Sequence, residues 1–270
     1  MSGKLCFIFL VATVFFPAFA EGKPALPFQP GEKLTFQVRW GFIAAGEAVL
    51  EVMPREEIDG AEANRFGLSV STYPAIDIFY KVRDRIDSFT DGDLTRSLYY
   101  TRKTEGRRLK EERVILDWEA GKARYSNFDE ERSPVPIKPG TFDPFSVFYA
   151  FRLQELREDE TMVHPVTDGR RLVAGHATVG RRTRIQTAMG SIDTFVVEIS
   201  MEDIDGTFEK EGRAGLQIWV SADRHRIPVR VRSRVAVGSF VAELTDVSGS
   251  DWPQAAVRNR WGGNDYSRSP

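Results

Sequence analysis

Cysteine is almost missing from this sequence. Of 270 residues only Cys6 is one, and it lies in a stretch that export removes, so disulfides and thiol chemistry are excluded from the mature chain. Histidine is nearly as scarce. His164, His176 and His225 each stand alone in the sequence, with no second His, Cys or carboxylate at ligand spacing, which argues against zinc and other transition metals. No Gly-x-Ser-x-Gly, Walker or Gly-x-Gly-x-x-Gly pattern occurs, so neither a nucleophile elbow nor a nucleotide-binding loop can be assigned. A formal net charge of −2 offers no excess of cations to a phosphate backbone, and nucleic acid is excluded as a partner. Past residue 20 no apolar run approaches the ~20 residues that a membrane-spanning helix needs. No catalytic residue, metal or cofactor is therefore expected.

What is present begins with a leader. Lys4 is a short positive region, Leu5 to Phe16 is apolar apart from Thr13, and Ala18-Phe19-Ala20 is a small-x-small cleavage site. Residues 1–20 read as a secretory signal peptide, cleaved between Ala20 and Glu21, which delivers the protein to the periplasm. Residues 21–30 carry three prolines and read as an extended lead-in without packed structure. Residues 31–247 form one β-rich domain. Residues 248–270, rich in Gly, Ser, Asn and Arg, read as a disordered tail.

One stretch organises the domain. In Thr141 to Leu156, Asp143 is a good N-cap and Pro144 suits the first helical position. Phe145, Phe148, Tyr149, Leu153 and Leu156 share one face at helical spacing, and Val147 and Phe151 widen it. Such a helix must be covered. The rest of the chain alternates as strands do: Leu34, Phe36, Val38 and Trp40; Phe66, Leu68 and Val70; Tyr80, Val82 and Ile86; Val114, Leu116 and Trp118. Four Asp-Gly pairs, Asp59-Gly60, Asp91-Gly92, Asp168-Gly169 and Asp205-Gly206, supply the positive φ of tight turns. The expected fold is mainly β, a curved antiparallel sheet, barrel or half-barrel, of roughly a dozen strands around one central helix.

Several stretches resemble a known family. Phe28-Gln-Pro-Gly-Glu-Lys-Leu-Thr-Phe36, then Trp40 and Ala45-Gly46-Glu47-Ala48, is similar to the opening of the domain of unknown function 3108 family. So are Asp143-Pro-Phe-Ser146, Thr187-Ala-Met-Gly190 and Trp219 to Val229. The resemblance spans about residues 28–247. It implies an exported protein of the Gram-negative envelope and supplies no catalytic residues.

Two features suggest binding. Arg226, Arg230, Arg232 and Arg234 read as one face of the penultimate strand. A solvated outer face is the plain explanation; an anion-binding face for a lipid headgroup, glycan acid or acidic protein partner is the functional one. A curved sheet also offers a concave apolar face, and Leu68 and Val82 are placed there as lining for an apolar or amphiphilic envelope molecule, unless the helix fills the space. Asp87 to Asp93 and Glu202 to Gly206 gather oxygens around glycines but lack the full calcium-loop pattern. A triad drawn from Ser146, His164 or His225 and an aspartate is possible in space, and nothing in the sequence selects it. The expected role is periplasmic binding or scaffolding, with a hydrolase of an envelope polymer as the alternative.

Overall fold

The computed structural model describes residues 26–106, 109–201, 215–235 and 238–253. The leader and the Asp205-Gly206 turn lie outside these residues. The first half of the chain forms β1 (Lys33–Trp40), β2 (Ile43–Val52), β3 (Glu56–Ile58), β4 (Ala61–Thr72), α1 (Pro74–Asp77), β5 (Arg83–Asp91), β6 (Ser97–Glu105), β7 (Lys110–Asp117), β8 (Lys122–Asn127), β9 (Glu130–Glu131) and β10 (Val135–Pro136). The second half forms α2 (Ser146–Leu153), β11 (Thr161–Thr167), β12 (Leu172–Thr187), β13 (Gly190–Met201), β14 (Leu216–Ser221), β15 (Pro228–Val235) and β16 (Gly238–Ser248).

All sixteen strands belong to one antiparallel sheet; fourteen run in the order β10-β8-β7-β6-β5-β4-β2-β1-β16-β15-β14-β13-β12-β11, while β3 pairs only with β4 and β9 only with β8. The chain starts in the middle, meanders outward to β10, crosses to the opposite edge and meanders back until β16 pairs with β1. Local hairpins thus build each half, and only the β1–β16 seam and the crossing join sequence-distant parts. The edges β10 and β11 are not paired with each other, so the sheet is open. The crossing segment spans that opening. The Thr141 carbonyl accepts from Ser97 N–H at 3.1 Å, while Phe142 exchanges two bonds of 2.9 Å with Pro165 and Thr167 at the β11 edge.

Inward positions alternate along the strands and gather in apolar clusters. One contains Phe66, Tyr100, Val114 and Tyr125, another Leu34, Phe36, Ile192 and Leu244. Side chains of α2 enter three clusters: Tyr149 the first, Val147 and Ala150 a second with Phe142 and Val166, and Phe148 and Phe151 a third with Val197 and Ile218.

Several expectations are corrected. The sheet has sixteen strands rather than a dozen, because short pairings such as β3, β9 and β10 carry too few residues to show a period. A second, one-turn helix, α1, follows β4. The regular part of α2 is shorter than expected and starts at Ser146. Asp143 still caps it, its carboxylate accepting from the N–H groups of Phe145 and Ser146 at 2.8 and 2.9 Å. The strands expected on either side of residue 180 are a single strand, β12, bent at a register shift between Val179 and Arg182. The lead-in is packed where it is described: Phe28 is buried edge-on against Phe66 and Tyr149. The tail boundary at residue 248 is also too early. Trp252 is 1% exposed and its indole donates to Asp223 at 2.7 Å, so residues 248–253 belong to the fold; residues 254–270 lie outside the described part.

Candidate functional site

Two buried polar assemblies hold α2 inside the sheet. At its start the fully buried Asp143 carboxylate accepts from the hydroxyls of Ser88 (2.6 Å), Ser97 (2.8 Å) and Ser146 (2.5 Å), as well as from the two capping N–H groups. Ser97 in turn accepts from the Asp143 N–H at 2.8 Å. Hydroxyls from β5, β6 and the helix thereby converge on one carboxylate, leaving it with no unsatisfied oxygen.

At the other end Arg152 donates to both oxygens of Glu32, at 2.6 and 3.2 Å, to the His225 carbonyl at 2.9 and 3.2 Å and to the Pro27 carbonyl at 3.2 Å. Its guanidinium lies 5.1 Å from the Phe28 ring centre and 5.7 Å from that of Tyr149. Both partners of this ion pair have side chains 1% exposed. Burial pushes the Tyr149 hydroxyl well above its usual range, against a smaller opposing pull from Arg152. Sequence reasoning misses both Arg152 and Glu32. An arginine in an apolar helix is the available signal, since a charge there must find a buried partner.

A crevice runs between α2 and the inner face of the second half. It is lined by Phe148, Phe151, Leu156, Met162, Val197, Ile199, Ile218 and Val220, and Arg152 and Arg226 border it without presenting polar surface to it. Its free volume is about 30 Å³, the share of one water molecule. Little space is therefore left between α2 and the second half.

The arginine row divides. Arg226 is not on β15 but in the turn before it, with φ of 48°. It donates to the carbonyls of Arg152 (3.0 Å) and Arg224 (3.4 Å), and burial lowers its pKa from the ordinary arginine value. Arg230, Arg232 and Arg234 do share one face of β15. Arg230 grips Glu243 on β16 at 2.7 and 3.0 Å and lies 5.9 Å from the ring centre of Trp219 on β14. Arg234 is exposed. Leu68 faces inward beside Leu50 and Ile86, between two clusters. Val82 precedes β5 instead of lying in it; its main chain pairs with Thr72, and Tyr80 is exposed in the loop after α1.

The histidines are scattered. His164 lies edge-on to Phe142 and Phe151, and burial lowers its pKa. His225 Nε2 is 2.8 Å from Asp251, whose carboxyl is held below the usual range chiefly by that hydrogen bond. Ser146 meets Asp143 but no histidine among its hydrogen-bond partners. Asp87, the first of the candidate calcium-loop oxygens, is gripped by Arg65 and Arg85.

The family model described as "Protein of unknown function (DUF3108)" matches residues 35–245. This chain belongs to the DUF3108 family. No curated protein matches it. Among solved structures, the DUF3108 chain is similar to a beta-barrel-like protein of domain of unknown function DUF1849 from Brucella abortus. The two are 14% identical, with 83% of this chain and 100% of that one covered and a TM-score of 0.55. A protein with a YmcC-like fold from Bacteroides fragilis matches at 10% identity and a TM-score of 0.34, over 83% of this chain and 98% of that one. At these identities the Brucella likeness speaks for a shared barrel-like fold alone. Glu32 and Trp252, two of the most deeply buried side chains, lie outside the span matched by the DUF3108 model.

Proposed function

We propose that this DUF3108 protein is an exported, non-catalytic binding or scaffolding protein of the bacterial cell envelope, working in the periplasm after loss of residues 1–20. The observation that carries this reading is that the buried Asp143 and Arg152 assemblies are spent on holding α2. A serine nucleophile must reach its substrate and be activated by a base, whereas Ser146 is fully buried and bonded to Asp143 and Ser97. The apolar run Leu5 to Phe16 and the Ala18-Phe19-Ala20 site support export. To test the reading, the periplasmic fraction of cells expressing the full chain is purified gently. Its N-terminus is sequenced, its bound species are read by native mass spectrometry, and it is treated with a fluorophosphonate serine probe. The reading expects a start at Glu21, a co-purifying molecule and no label on Ser146. A labelled Ser146 would favour the hydrolase of an envelope polymer, and an intact Met1 in the cytoplasm would end the export claim.

A second reading is favoured by the crevice beneath α2: an amphiphile whose alkyl chain enters between Phe151 and Ile218 and whose anionic head meets Arg226. Because the closed volume is about 30 Å³, this requires Phe151 and Leu156 to swing aside. Native mass spectrometry of delipidated protein mixed with envelope lipid extract would then give a discrete bound mass that Ile218→Trp abolishes.

A further inference from the structure

Large apolar side chains left in water are not spread evenly over this molecule. Among the described residues, two neighbouring strand tips carry the three most exposed of them, and a third tip beside them adds Phe240. The β1–β2 tip presents Trp40 and Phe42, the latter 88% exposed. The β4–β5 connection, which includes α1, presents Ile78 and Phe79, each 80% exposed, and Tyr80. The β15–β16 tip presents Phe240, stacked on Trp40 with ring centres 6.4 Å apart. The pairings β16–β1, β1–β2 and β2–β4 set these tips side by side at one end of the sheet, and the Tyr73 N–H donates to the Ala45 carbonyl at 3.0 Å to tie the second tip to the first. At the opposite end the turns at Asp59-Gly60, Gly92 to Arg96 and Glu119 to Gly121 expose no large apolar side chain.

Cations flank the apolar tips. Arg39, Lys81 and Arg234 are exposed. Arg39 donates to the Phe42 carbonyl and to Gln37, not to a carboxylate. Of the acids nearby, Asp77 is shared by Arg83, at 2.5 Å, and Lys81, whose charge helps to lower its carboxyl pKa, Glu105 lies across from Arg83 in the β5–β6 register, and Glu47 is exposed on β2 opposite Gln37. Aromatic and aliphatic side chains projecting from loops beside exposed Lys and Arg match the interface of a bilayer, where amphipathic rings sit at headgroup depth and cations meet lipid phosphates.

We infer that these three tips form a docking edge for an anionic lipid surface. The inference rests on the binding reading above and names its partner. The full mature chain is sedimented with vesicles of phosphatidylethanolamine and phosphatidylglycerol, and with vesicles of phosphatidylcholine alone. It associates with the anionic vesicles, less so at high salt, and Trp fluorescence shifts to the blue, a shift that Trp40→Phe removes. Phe42→Ser with Phe79→Ser lowers the association by about tenfold or more. Arg39→Glu with Lys81→Glu lowers it by about fivefold for each cation lost and spares any weak binding to the neutral vesicles. Because all four side chains are exposed, the thermal melts of the variants coincide with that of the parent. No association with the anionic vesicles, or association that survives both double variants, overturns the inference. A protein partner that co-purifies equally with parent and variants would do the same while leaving the binding reading standing.

Discussion

Arg152 is 2% exposed in the last turn of an apolar helix, so its charge has to be met entirely from within the protein. Glu32 and the carbonyls of Pro27 and His225 meet it, and they come from the first described segment and the β14–β15 turn. Removing a charge this deep from water costs several kcal/mol, which the pairing only offsets, so its main effect is to make one position of the helix far better than its alternatives. Arg152→Met leaves Glu32 buried without a partner and should cost about 3–5 kcal/mol in urea melts. Adding Glu32→Leu should recover part of that loss. Two strictly additive losses would mean that the residues do not act as a pair.

The regular helix Ser146–Leu153 is only eight residues long, too short to persist in water by itself, so packing and the Asp143 cap must hold it. Its two central aromatics are unequal. Tyr149 is 1% exposed and stacks on Phe66 with ring centres 3.9 Å apart, whereas Phe148 is half-buried against the crevice. Helical spacing puts both on the covered face and cannot rank them. Tyr149→Ala should therefore cost about 3–5 kcal/mol and Phe148→Ala about 1–2 kcal/mol in denaturant melts. The reverse ranking would mean that the crevice side, rather than the first-half core, holds the helix.

At the scale of the whole molecule, the sheet is open in its hydrogen bonds but joined through its contents. The crossing segment bonds to β6 and β11, and the β11–β12 turn packs onto β7 and β8. Gly169 in that turn has φ of 80°, and a Cβ there would lie 2.9 Å from both Val114 methyl groups and 3.0 Å from the Tyr125 Cβ. Arg170 beside it stands 5.3 Å from the Tyr125 ring centre. Gly169→Ala combines an unfavourable backbone angle with this clash and should destabilise the protein by about 1–3 kcal/mol. A neutral result in thermal and urea melts would mean that the two edges are not pressed together in solution.

Much of this fold is legible in the sequence alone. Strict alternation in β1, the Asp-Gly turns at residues 59 and 168, the Asp143 cap and the antiparallel class all follow from local rules, because period, turn angle and capping are properties of neighbouring residues. The motif Asp143 to Ser146 lies within the family's span of residues 35–245, whereas most of Phe28 to Phe36 lies before it. Val82 just before β5 and Arg226 just before β15 lie in irregular backbone that alternation does not register. Pairings between distant parts of the chain are out of reach altogether: β1 with β16, Glu32 with Arg152, the crossing segment with β6 and β11. They depend on which of many compatible partners minimises buried charge and void, and only the folded chain makes that comparison. Alternation by itself places Leu68 on the concave face. Only the tertiary structure decided that α2 leaves a free volume of about 30 Å³ against the second half, because whether a helix fits against a curved sheet is a matter of volumes that no single stretch of sequence contains.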